Sequence, residues 1–328
     1  MNLNLSLYDR DMNRISVIGC RFESCMWSEG YNTTQPFTLE LQANEEYKKK
    51  VKEDCYVGRD DRKTLMVIKT VRVKDGHIIA TGKEAKRCLD DVACEKVIPA
   101  GSNLANAVRT AYDESSKFHN IEFSEQALGV AYDHQISNKS FMILCQTMCQ
   151  DTDTGWRVVR SGKKILAEFY KPEANPNRVL SERYGSLKVD SITRSTENQK
   201  NVAIVLGEGE GEARFRVRVD MSGGAQKLEM FVDARDVIRE EGESDSSYSA
   251  RLKARGVEAL LEKQGTLVCA LNPLPKEFGT MYDLGDVITV LLPDYGMKIQ
   301  ARITRFTQQS QNNVIETILE VGNITITR

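Results

Sequence analysis

Long hydrophobic runs are missing from this chain of 328 residues. No apolar stretch approaches the roughly 20 residues a helix needs to span a bilayer, so no membrane insertion by this chain is expected. The amino terminus, "MNLNLSLYDRDMNR", alternates apolar and polar residues where a signal peptide would be continuously apolar. A soluble protein made in a cytoplasm is expected. Charge of one sign is missing too. The 45 Lys and Arg against 47 Asp and Glu leave a net charge of -2, which excludes gripping duplex DNA through overall charge.

Chemistry-bearing patterns are equally scarce. There are three histidines, His77, His119 and His134, and none pairs with a cysteine at zinc-finger spacing. The eight cysteines form no C-x-x-C knuckle, and the expectation is reduced thiols acting as small buried groups, with no metal and no cofactor. Cys145 and Cys149, four apart in an apolar helical stretch, would share a face. No G-x-S-x-G elbow and no H-E-x-x-H is present. Asp133 and His134 are the one adjacent acid–histidine pair, and neighbours in sequence point apart. No nucleophile or acid–base pair can be nominated, and no enzyme is expected.

What is present is β-pattern, then helix, then β-pattern again. Hydrophobic residues make up 41%, enough for a core, and the length allows two or three domains of about 100–200 residues. "LNLSLYD", "RISVIG", "PFTLELQA" and "KTLMVIKTVRVKDGHIIATG" read as short strands, the last a hairpin turning at Asp75-Gly76. In that hairpin Leu65, Val67, Lys69, Val71 and Val73 would form a half-buried face. "KEAKRCLDDVACEKV", "SNLANAVRTAYDESS" (N-capped by Ser102) and "NKSFMILCQTMCQD" read as helices. "WRVVRSGKKILAEFYKP" reads as a hairpin, and residues 171–186, with two prolines and a glycine, read as a linker. Strands resume from 187, broken by one helix at about 245–264 with a stripe of Tyr248, Leu252, Ala259 and Leu260. The chain closes in a meander of three or four strands.

The stretch "NVAIVLGEGEGEARFRVRVD" poses the sharpest question. Glu208, Glu210 and Glu212 would repel phosphate, and a strand follows where a phosphate loop needs a helix. A flexible hairpin tip is expected. After it, Ala213, Phe215, Val217 and Val219 share one face of the strand, and Arg214, Arg216 and Arg218 the other. That basic stripe carries no interleaved aromatics, so a solvated or intersubunit face is expected, not a nucleic-acid surface. Trp27, Tyr31 and Phe37 punctuate a turn into a strand, and they suit either a packed barrel end or an assembly surface.

"MWSEGYNTTQPFTLELQA", "LMVIKTVRV" and "IIATGKEAKRCLDD" resemble the opening of bacteriophage tail hub or tail-tip proteins of siphophages and prophages. "RSTENQKNVAIVLGEGEGE", "EMFVDARDV", "LKARGVEALLE" and "YDLGDVITV" resemble the second half of that family, in the same order. Residues 118–137 depart from the pattern. The resemblance implies a β-rich α+β chain in which two tube-type β-barrel or sandwich domains, 1–95 and 187–328, flank a mixed helical α/β insertion, 96–186. It implies a baseplate-hub-like structural protein of the virion tail, a homotrimer forming a pseudo-sixfold ring. The implied partners are the distal tail protein, the tail tube, the tape-measure protein and a downstream tip or receptor-binding protein. DNA would pass through without specific binding. An assembly or channel role would fall on Trp27, Tyr31, Phe37, Glu208, Glu210, Glu212, Arg214, Arg216 and Arg218. The alternatives are a tail-associated enzyme that degrades cell wall and a tail protein that binds host carbohydrate.

Overall fold

The computed structural model of the protein describes residues 3–115, 120–124, 128–132, 138–240, 242–263, 266–273, 278–311 and 314–327. The Asp133–His134 pair lies outside them. Contacts divide the chain into two units, one made of Met1–Ser191 with Cys269–Arg328 and the other of Ile192–Val268. These breaks differ from the three segments expected from sequence. Residues 171–186 are also no linker, because they contain the strand Ala174–Ser181, which pairs in parallel with Val287–Leu292. Pro172 precedes that strand, and proline is tolerated at such edges.

The first seven strands are β1 (Leu5–Tyr8), β2 (Arg14–Gly19), β3 (Ser24–Gly30), β4 (Pro36–Gln42), β5 (Tyr56–Arg59), β6 (Leu65–Lys74) and β7 (His77–Glu84), with the short helix α1 (Glu45–Lys50) between β4 and β5. They lie in the order β2-β1-β5-β6-β7-β4-β3 and continue into Met297–Gln311 and Val314–Thr327, within a sheet of thirteen strands. Asp75 and Gly76 make the expected turn between β6 and β7. Both have positive φ, 49° and 79°, the geometry that matches the twist of a two-residue hairpin.

The strand Met297–Gln311 organises this sheet. Its first half, Met297–Arg302, pairs with Val287–Leu292, and its second half, Arg305–Gln311, pairs with β3. On its other side Val314–Thr327 follows almost the whole length, with register shifts between Gln300 and Arg302 and between Ile303 and Arg305. Bulges increase local twist, and these fall where the partner changes. Among the described residues no sheet closes into a barrel, which corrects the expectation of tube-type barrels. β2 ends the path with β1 as its one strand neighbour, and the long hairpin branches the sheet instead of returning to β2. The closing meander is the expected one.

Both faces of β6 are covered at its start. Met66 and Ile68 pack into a core with Leu5, Trp27, Phe37, Leu39 and Leu41, whereas Leu65 and Val67 join a second core on the opposite face. That second core is filled by the helices α2 (Leu104–Asp113) and α3 (Phe141–Asp151) and by the hairpin Gly155–Ser161/Lys164–Tyr170. Tyr112 and Phe141 meet edge to face at 5.1 Å, a favoured aromatic arrangement. The far end of β6 departs from the expected half-buried face, with Val73 59% exposed.

Two helical expectations need correction. The cap of α2 is Asn103, whose side chain accepts from the Asn106 N–H at 3.2 Å, not Ser102. Residues 83–97 form a 3-10 turn, Ala85–Asp91, followed by a short strand, Ala93–Cys94. Tertiary demands override propensity there. Ala85, Lys86, Cys88 and Leu89 are all buried, and Asp90 accepts from Ser140 Oγ.

The second unit is a three-stranded sheet, Arg216–Asp220, Val202–Leu206 and Glu229–Asp233 in that order, with helix α4 (Asp245–Glu262). Tyr248, Leu252 and Leu260 of α4 are buried against Ala203, Val205, Val217 and Val219, with Ala259 partly so. Gly256 sets the approach. A Cβ there would stand 2.6 Å from Val205 Cγ2, so the helix comes this close because that side chain is absent.

Candidate functional site

Strand alternation builds an unusual interior from ordinary-looking sequence. Cys25, Trp27 and Glu29 share one face of β3, and that face is buried, so a carboxylate follows an indole into the core. Glu29 is wholly enclosed. The Trp27 indole N–H donates to its Oε1 at 2.7 Å, and Arg62 Nη2 donates to its Oε2 at 2.7 Å. Burial opposes the charged form, but the Arg62 charge and these hydrogen bonds outweigh it and hold the Glu29 carboxyl below its ordinary value. Arg62 is correspondingly held in its charged form.

A second buried pair stands at the end of β7, where Glu84 is in phase with Ile78 and Ala80. One carboxylate oxygen of Glu84 accepts the backbone N–H of Gly30 at 2.8 Å and of Gln35 at 3.0 Å. Lys86 donates to the carbonyls of Gly30 at 2.6 Å and Thr33 at 3.0 Å. Burial pushes the Glu84 carboxyl up to about 7, against the pull of Lys86. Together the two side chains fasten both ends of the loop between β3 and β4.

Beside Glu29 a cleft of about 520 Å³ opens among Arg59, Arg62, Lys63, Arg157, Phe278 and Gln308. The Phe278 and Phe306 rings are stacked at 4.0 Å, and the Arg62 guanidinium lies over Phe278 at 4.6 Å. Arg59 donates to both oxygens of Asp61, at 2.9 and 2.7 Å, and lies over the Trp27 ring at 5.3 Å. Arg157 pairs with Glu168 at 2.6 Å and with Asp283 at 3.3 Å.

The residues singled out in the sequence are scattered. Trp27 and Phe37 pack edge to face at 5.7 Å inside the first core, at 0% and 1% exposure, so core packing is what they do within this chain. Tyr31 donates to the Thr154 carbonyl at 2.8 Å and has Arg302 over its ring. The three glutamates of "GEGEGE" are not equivalent. Glu208 accepts the Arg239 N–H at 2.8 Å, whereas Glu210 and Glu212 are exposed. The tip is a turn, held at Glu208 by that bond. Gly209 has φ 103°, and a short 3-10 turn spans Gly211–Ala213.

The arginines differ as well. Arg214 turns back to the carbonyls of Gly207 at 2.7 Å and Leu206 at 2.8 Å and pairs with Asp233, so it leaves the expected stripe. Arg216 and Arg218 are exposed, with Arg218 paired to Glu229 on the far strand of the sheet. Cys25, Cys55, Cys88, Cys94, Cys145 and Cys149 are buried free thiols, and Cys20 is exposed. Burial pushes the Cys149 thiol up to about 12, so it is no nucleophile at neutral pH. Among the described residues no cluster of His, Cys, Asp and Glu could hold a metal ion, and no helix is long and apolar enough to cross a membrane.

The family model for Siphovirus ReqiPepy6 Gp37-like proteins matches residues 4–323. The chain belongs to that family. Its fold is similar to that of a 43 kDa tail protein of prophage MuSo2 from Shewanella oneidensis, with TM-score 0.62, 10% identity and 98% of each chain covered. It is also similar to a tail protein from Neisseria meningitidis, with TM-score 0.61, 11% identity and coverage of 98% of this chain and 97% of that one. Prophage tail protein gp18 from Listeria monocytogenes gives TM-score 0.58 at 11% identity, with 98% of this chain and 94% of that one covered. No curated protein matches the sequence.

Proposed function

We propose that this protein is the hub of the tail tip, a homotrimer whose ring joins the tail tube or distal tail protein above it to the tip below. The carrying observation is the divided strand Met297–Gln311, which pairs through one half with β3 and through the other with Val287–Leu292. One chain thereby offers two strand systems joined by a continuous hairpin. Three such chains would present six strand systems to a sixfold partner, with a shared strand fixing the two in each chain to one another. On this reading the two strand systems draw on residues 1–95 and 187–328, with most of 96–186 inserted and the strand Ala174–Ser181 joined to the second system. The exposed Glu210 and Glu212 would face the DNA channel or a neighbouring subunit, and the exposed Arg216 and Arg218 a neighbouring subunit. Carboxylates lining a channel suit sliding, because cationic contacts to phosphate dominate DNA affinity. The role is structural, with no reaction catalysed.

The test is native mass measurement of the purified protein, alone and with its distal tail protein. The proposal expects a complex holding this chain in multiples of three. A stable monomer that never enters a threefold complex would overturn it.

A further inference from the structure

We infer that the cleft beside Glu29 is a docking site for an acidic, extended segment of a neighbouring tail protein. Four cationic side chains, Arg59, Arg62, Lys63 and Arg157, stand among its lining residues against two carboxylates, Asp61 and Asp283. Both acids are already engaged, Asp61 by Arg59 and Asp283 by Arg157 at 3.3 Å and Arg62 at 3.6 Å. Cationic capacity is left over. Lys63 is exposed and, among the described residues, pairs with no acid. Arg59 is 2% exposed, and its Nη1 has no acceptor.

The unpaired atoms are of both kinds, which selects the ligand. Gln308, 3% exposed, donates to Thr317 through Nε2 at 3.0 Å but leaves Oε1 without a donor. Thr64 Oγ1, also on the cleft wall, is unpartnered. Buried polar groups are normally satisfied, and the three side chains that carry these atoms all line the one cleft. A bare anion supplies acceptors alone. A peptide supplies carboxylates for Lys63 and Arg59 together with backbone N–H groups for Gln308. The volume of about 520 Å³ holds a few residues. The stacked Phe278 and Phe306 give the segment an apolar wall. This inference does not depend on the ring: a chain that binds the segment but never forms a threefold complex would overturn the hub alone.

Trp27 supplies the readout, since Arg59 lies over its ring and the chain has two tryptophans. The indole N–H resonance of Trp27, assigned with a Trp156→Phe variant, is followed while acetyl-Gly-Glu-Glu-Gly-amide or its Gln-Gln counterpart is added. The acidic peptide should shift the resonance to saturation, with the Gln peptide about tenfold weaker, as charge-assisted bonds require. Lys63→Glu, at an exposed position that preserves the fold, should weaken the acidic peptide by about tenfold. Any of four results would overturn the inference. These are no saturable shift up to about 10 mM, equal binding of the two peptides, no effect of Lys63→Glu, or displacement of the peptide by equimolar inorganic phosphate. A shift that grows with protein concentration alone would replace the foreign segment by a second copy, and so also overturn it.

Discussion

Lys86 lies 3.1 Å from the Glu84 carboxylate, and both side chains are buried. Their pairing fixes the loop between β3 and β4, and it makes that loop sensitive to pH. The Glu84 carboxyl titrates at about 7 when folded, against an ordinary 4.5. Between those values the unfolded chain has released a proton that the folded chain keeps. The Glu84 contribution to stability is therefore complete below 4.5, is lost as pH rises towards 7, and is level above it. Urea midpoints measured across that window should fall for the native chain relative to Glu84→Gln, in which this slope is gone. Parallel pH profiles for the two proteins would contradict the assignment.

Removing one member of the Glu29–Arg62 pair should cost far more than removing both. Arg62→Met leaves the enclosed Glu29 carboxylate without its cation, a loss of about 3–5 kcal/mol. The double variant Glu29→Gln/Arg62→Met keeps an acceptor for the Trp27 indole and should recover most of it. A double-mutant cycle by chemical denaturation measures the coupling, and simple additivity would show that the pair is not the organising contact.

These two pairs show what the sequence disclosed and what it hid. Asp75-Gly76, the α3 face of Phe141, Cys145, Met148 and Cys149, and the α4 stripe were legible because each depends on residues a few positions apart. The buried charges were not read, although a signal existed. Glu29 continues the inward phase of Cys25 and Trp27, and Glu84 that of Ile78 and Ala80. What phase cannot supply is the partner, since Arg62 reaches Glu29 across 33 residues. Lys86 likewise reaches Gly30 across 56 residues and thereby holds a helical-looking segment in a 3-10 turn. The branching of the sheet at Met297–Gln311 depends on contacts longer still. Alternation predicts a strand there but not which neighbours it divides between.

Gly82 on β7 should tolerate no side chain. A Cβ there would stand 1.8 Å from the Val67 carbonyl oxygen, a backbone atom that cannot move without breaking the β6–β7 ladder. Gly82→Ala should destabilise by about 3 kcal/mol or more, the upper range for overpacking. Thermal unfolding checks this, and a loss under about 0.5 kcal/mol, the scale of a neutral surface change, would contradict it.

Arg214, not Arg216, should hold the acidic tip. Arg214→Ala removes two bonds to carbonyls and an ion pair with Asp233, whereas Arg216 makes one bond to the Gly211 carbonyl at 3.2 Å. Hydrogen exchange across residues 207–215 should quicken at least about tenfold in Arg214→Ala, the equivalent of about 1.4 kcal/mol. Arg216→Ala should change it little. Equal exchange in the two variants would mean that the turn is not braced as the structure shows.

The hub assignment is tested most directly by electron cryo-microscopy of tail tips carrying this chain. The account predicts a ring of three copies whose strand systems alternate around the axis and meet a sixfold partner face. A ring of six copies, or density for this chain off the tail axis, would contradict it.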